Sequence, residues 1–108
     1  MMTIRQFYLL KLAEECAKVA QSCSKQIQFG AETCQADGPS TTKVADSNHI
    51  RLRQEILDLL AVVTMLEERG EIISMGQDIR AYTLEAKRVK IAKYLVYSQS
   101  LGQVEPGA

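Results

Sequence analysis

The chain has 108 residues, 46% of them hydrophobic, and its 13 basic and 13 acidic side chains give a formal net charge of zero. Those figures describe one globular domain with a modest core that oligomerisation would extend, and they exclude a disordered chain and the basic footprint of a duplex-nucleic-acid binder. No apolar run approaches a membrane span, residues 1–15 do not resemble a secretory signal, and three cysteines (Cys16, Cys23 and Cys34) without a C-x-x-C give neither a disulfide framework nor a zinc site, which points to a cytoplasmic setting.

The pattern predicts a first helix from about Thr3 to Gln28, with Leu9, Leu12, Cys16, Val19, Cys23 and Ile27 as its apolar face and Gly30 as its stop. Cys16 and Cys23 then read as small core residues. Glu14 and Glu15 fall on the opposite face with Lys11, Lys18, Ser22 and Lys25. By themselves they read as a solvated surface laced with pairs such as Lys11–Glu15 and Glu14–Lys18. Ala31 to Asp46 reads as a loop around the turn Asp37-Gly38-Pro39.

A second helix is expected from Ser47 or Asn48, either of which can cap it, to Gly70. Leu52, Ile56, Leu59, Val63 and Leu66 form one apolar face, and from Ile56 to Leu66 the helix is apolar nearly all round. Such a helix is central in a bundle or lies at a subunit interface. Glu55 and Asp58, three apart, rise from one surface just where the helix becomes apolar. Two buried like charges require a compensating cation, and a divalent metal would supply it. The alternative is a solvated edge on which Glu55 pairs with Arg51. His49 reads as a surface histidine, and Asn48 as the helix cap or as a side chain reaching the same site.

Glu71 to Gly76 is expected to be a connector with a short helical turn. A last helix follows from about Asp78 to Ser100, with Leu84, Ile91 and Leu95 as its inner face, and the tail from Gly102 onward reads as flexible. Strand signals are lacking. The expected fold is all-α: a bundle of three long helices plus the connector helix, assembled as an oligomer.

Two segments carry a family resemblance. Leu12-Ala13-Glu14-Glu15-Cys16-Ala17-Lys18-Val19-Ala20-Gln21 resembles the first signature of MazG-like, all-α nucleoside triphosphate pyrophosphohydrolases, E-E-x-x-E. The stretch from Arg51 to Val63, with Glu55 and Asp58, resembles the second, E-x-x-D within an apolar helix. Lys25 to Gly30 and Lys90 to Ser98 look like phage-type members in particular, which would place the protein in a host cytoplasm. The resemblance covers about Leu10 to Leu101. It implies a homodimer or homotetramer in which motif carboxylates bind magnesium. Water then attacks the α-phosphorus of a nucleotide, an NTP or dNTP, giving the monophosphate and pyrophosphate, often in nucleotide-pool control.

Carried over by position, Glu15, Glu55 and Asp58 match metal ligands, and Glu14 matches an adjacent acidic position that ligates or orients the attacking water. Lys18 departs from the pattern: the family has Glu there. Two explanations are open, a chain altered at this position to impair catalysis or a divergent member with a weakened or relocated metal site. Glu14 is poorly placed to take over, because adjacent helix positions point about 100° apart. Basic residues should meet the phosphates, and Lys87, Lys90, Tyr94 and Tyr97 form one stripe on the last helix that either contacts the triphosphate, within one subunit or across a subunit boundary, or is a solvated edge with snorkelling lysines. The competing reading is a catalytically silent helical module that binds nucleotide or a partner.

Overall fold

A computed structural model of the protein describes residues 1–32 and 47–107. The fold is all-α, with three helices, α1 (Ile4–Phe29), α2 (Asn48–Glu68) and α3 (Gln77–Ser100), and no strand element among the described residues. None of these helices is long and apolar enough to cross a membrane. The Asp37-Gly38-Pro39 turn and Cys34 lie outside the described residues.

The helix bounds follow from local chemistry. Thr3 caps α1 through a reciprocal box: its Oγ1 accepts from the Gln6 amide at 3.1 Å, and Gln6 Oε1 accepts from the Thr3 amide at 2.8 Å. Gly30 ends α1 at φ 90° and ψ 156°, a backbone region that is essentially closed to residues with a Cβ. Ser47, not Asn48, caps α2, accepting from the Ile50 amide at 3.3 Å. After Glu68 the chain turns at Gly70, where the amides of Gly70 and Glu71 donate back to Glu67 and Leu66 at 3.0 and 2.9 Å.

The connector 71–76 contains no helix, contrary to the sequence expectation. Six residues that include paired β-branched Ile72 and Ile73 and end in Gly76 do not sustain the costly first helical turn.

The chain divides into two units, 1–73 and 74–108. In the first, α1 and α2 pack as an antiparallel hairpin. At one end Arg5 Nε lies 3.1 Å from Glu71 Oε2, and the Arg69 guanidinium stacks 4.3 Å from the Tyr8 ring centre. At the other end Asn48 Nδ2 donates to the Gly30 carbonyl at 2.9 Å. Leu66 is the one fully buried apolar side chain among the described residues.

The stripe of α1 turned toward α2 differs from the one the apolar spacing predicts. Tyr8, Lys11, Leu12, Glu15, Val19, Ser22, Lys25 and Gln26 are the half-buried positions, whereas Leu9, Cys16, Cys23 and Ile27 are exposed. The two stripes share Leu12 and Val19 and differ by about one helix position. On α2, Leu52, Leu59 and Val63 are half-buried and Ile56 is exposed. The seam between the helices is therefore apolar near Leu12, Val62 and Leu66. It turns polar toward Glu15, Ser22, Gln26, Asn48 and Glu55.

The second unit is α3 with the tail. Gly76 precedes α3, and Asp78 in its first turn complements the positive end of the helix dipole. Leu84, Ile91 and Leu95, read as an inner face, are exposed. Gln99 Nε2 donates to the Glu105 carbonyl at 3.0 Å.

Candidate metal centre

Glu15 stands at the middle of α1, on the stripe facing α2. Glu55 and Asp58 stand one turn apart on α2, both half-buried. Because the helices run antiparallel with residue 26 beside residue 48, residue 15 arrives opposite the 55–58 turn. One carboxylate oxygen from each of Glu15, Glu55 and Asp58 lies within 4.8 Å of the others. The sequence offers these three acids on two helices, and tertiary packing makes them a cluster.

Their local partners are few. Asp58 Oδ1 accepts from Gln54 Nε2 at 3.0 Å, an i,i+4 contact that orients this carboxylate. Gln54 was not singled out in the sequence, although its spacing from Asp58 is a readable signal. Among the described residues Glu55 has no ion-pair partner, so the Arg51–Glu55 pair of the solvated-edge reading does not form. The Glu15 side chain is only 14% exposed; its Oε1 lies 3.4 Å from Lys18 Nζ. Its other oxygen, Oε2, is buried and takes no hydrogen bond among the described residues. A buried oxygen without a partner costs free energy comparable to a lost hydrogen bond, and more when charged.

These residues could hold a divalent, oxygen-seeking cation. Magnesium binds oxygen at about 2.1 Å in an octahedron, which sets opposite donors about 4.2 Å apart. The observed spread exceeds that by a fraction of an ångström, within the reach of carboxylate rotamers. Among the described residues Glu15 Oε2 accepts no hydrogen bond and Glu55 has no ion-pair partner.

No family model matches the chain, and no curated protein or solved structure matches it.

Two further predicted site residues of the same unit, Glu14 and Asn48, are not in the acidic cluster. Glu14 lies on the solvated face of α1, paired with Lys11 at 3.2 Å, and is not in the acidic cluster. Its position beside Glu15 rotates it away, as the helical geometry requires. Asn48 is 2% exposed and its amide is committed to Gly30, so it serves as a clamp between the two helix ends. Gln26 Nε2 lies 3.5 Å from the Asn48 carbonyl and reinforces that junction. His49 is exposed, and its backbone amide donates to the Ala31 carbonyl at 2.8 Å. Lys87, Lys90, Tyr94 and Tyr97 are exposed on α3, with the Lys90 ammonium 6.0 Å from the Tyr94 ring centre.

Proposed function

We propose that the protein is a magnesium-dependent nucleoside triphosphate pyrophosphohydrolase, converting NTPs or dNTPs to the monophosphate and pyrophosphate. The observation that carries the reading is the convergence of Glu15, Glu55 and Asp58 within 4.8 Å, with Glu15 Oε2 buried and unpartnered. The two-signature resemblance named the same three residues. Its four-carboxylate pattern is incomplete here, because Lys18 occupies the fourth position.

In this reading Glu15, Glu55 and Asp58 hold the metal. When bound, magnesium neutralises phosphate oxygens and makes a coordinated water more acidic. Gln54 fixes the Asp58 carboxylate in its ligating orientation. Lys87, Lys90 and Tyr94 are assigned to the triphosphate, where ammonium and phenol donors offset charge on the phosphate oxygens. The test is pyrophosphate release across a panel of NTPs and dNTPs with and without magnesium. Release that depends on magnesium and disappears in Glu55→Gln supports the reading. Absence of both nucleotide binding and turnover at millimolar magnesium removes it.

A second reading is favoured by one contact, the Lys18–Glu15 pair at 3.4 Å. A tethered ammonium beside a metal ligand supplies part of the charge that a cation would bring. A chain built this way binds nucleotide or a partner without turning it over. Nucleotide binding by calorimetry with no pyrophosphate release selects this module over the hydrolase.

A further inference from the structure

Lys18 is a primary amine at the edge of a three-carboxylate cluster. Its Nζ lies 3.4 Å from Glu15 Oε1, yet the side chain is 53% exposed, so a small molecule reaches the nitrogen from solvent. A screened pair of this kind holds the flexible four-carbon stem only weakly. Behind it, one oxygen each of Glu15, Glu55 and Asp58 lie within 4.8 Å of one another. Glu15 Oε2, on the carboxylate that Lys18 touches, is buried and accepts no hydrogen bond among the described residues.

A divalent cation among these carboxylates changes what the neighbouring position favours. The cation repels a positive group beside it and attracts a negative oxygen donor. Magnesium takes six oxygen donors, so three carboxylates binding through one oxygen each leave places open. An amine becomes an oxygen donor by condensing with carbon dioxide. The nitrogen lone pair forms an N–C bond, one C=O π pair moves onto oxygen, and two protons from the ammonium pass to solvent. The product is an N-carboxylate, a carbamate, and nothing is oxidised or reduced. The charge of the side chain goes from positive to negative, and its new oxygens lie two bonds beyond Nζ. A stem that already brings Nζ to 3.4 Å from a Glu15 oxygen is long enough to bring them to a cation held there.

We propose that Lys18 is a carbamylation site, at which carbon dioxide converts the amine into a fourth carboxylate for the metal centre. The assignment rests on Glu15, Glu55 and Asp58 holding the cation, as in the function proposed above. Without the cation a carbamate is a fourth negative charge against three and is disfavoured. Cation and carbon dioxide therefore bind cooperatively, each raising the affinity for the other by the same factor. Lys11 does not share this role: it is held 3.2 Å from Glu14, which is not in the cluster.

The test uses the full chain with magnesium and carbon-13 bicarbonate, which supplies carbon dioxide. Carbon-13 NMR is expected to show a carbamate resonance that grows with magnesium and disappears when EDTA removes it. Alkylation of the carbamate, followed by peptide mapping, should place it on Lys18. Magnesium affinity by calorimetry should be at least about tenfold tighter in bicarbonate than in carbon dioxide-free chloride buffer at matched ionic strength and free magnesium. Lys18→Arg keeps the positive charge on a guanidinium that is always protonated, and should lose both the resonance and the bicarbonate effect. Lys18→Glu carries a permanent carboxylate and should bind magnesium equally in the two buffers. A Lys18→Glu chain that binds magnesium, beside a wild type with no magnesium-dependent carbamate, overturns the proposal and leaves the metal centre standing. A carbamate mapped to another amine, or wild-type affinity that ignores bicarbonate, overturns it in the same way. Absence of magnesium binding in wild type and Lys18→Glu, in both buffers, removes the metal centre and the carbamate together.

Discussion

The Lys18 ammonium lies 3.4 Å from one oxygen of the Glu15 carboxylate, while the other oxygen of that carboxylate is buried and takes no hydrogen bond among the described residues. A tethered positive charge and an unsatisfied acceptor thus share one side chain. The lysine is 53% exposed and the glutamate 14%, so the pair is partly screened and the lysine is free to swing out.

Lys18→Glu should tighten magnesium binding. The change replaces a positive charge by a negative one beside the cluster. One charge at about 4 Å is worth on the order of 4 kcal/mol at an effective dielectric near 20, and exposure of the lysine reduces this. A gain of roughly a hundredfold in magnesium affinity is expected after that discount, with turnover rising in parallel. Titration of magnesium into both forms, with pyrophosphate release measured in each, checks it. Equal affinity and equal activity in the two forms would remove Glu15 from the ligand set.

Lys87→Ala and Lys90→Ala should weaken nucleotide binding and leave helix content unchanged. Both lysines are exposed on α3, so truncation removes charge without opening a core. A loss of about three- to tenfold in affinity each is expected, the scale of a partly screened charge contact. Calorimetry with a non-hydrolysable triphosphate measures it. Unchanged affinity makes the stripe a solvated edge.

Asn48→Ala should destabilise the fold by about 2 kcal/mol, the cost of leaving a part-buried carbonyl without its donor. The residue is 2% exposed and donates to Gly30 at 2.9 Å. The readout is the urea midpoint at unchanged slope. A variant of wild-type stability with impaired nucleotide binding would instead return Asn48 to the substrate.

Leu66→Ala should cost about 2–5 kcal/mol, since this side chain is wholly enclosed where α2 closes on α1. Leu57→Ala, on the exposed side of the same helix, should cost less than about 1 kcal/mol in the isolated chain. Comparison of thermal midpoints separates the two. Equal losses would mean that Leu57 is also buried in solution.

Sequence alone determined the three long helices and their approximate ends, but not the connector 71–76, where the expected helical turn is absent. Thr3 with Gln6 wrote a capping box, Gly30 and Gly70 supplied positive φ, and Ser47 offered a hydroxyl to an orphan amide, all within a few residues of chain. It also placed Glu55 and Asp58 on one surface, because a three-residue spacing fixes that in any helix. Two things were decided only by tertiary structure. Apolar spacing reports which side of a helix favours burial, not what it meets, so Leu9, Cys16, Cys23 and Ile27 read as core but stand exposed, while Glu15, Ser22 and Gln26 turn toward α2. The distinction between Glu14 and Glu15, adjacent and chemically identical, likewise rests on the orientation of α1 against α2. One is 45% exposed and paired with Lys11, and the other is enclosed beside two carboxylates that lie forty residues and more along the chain.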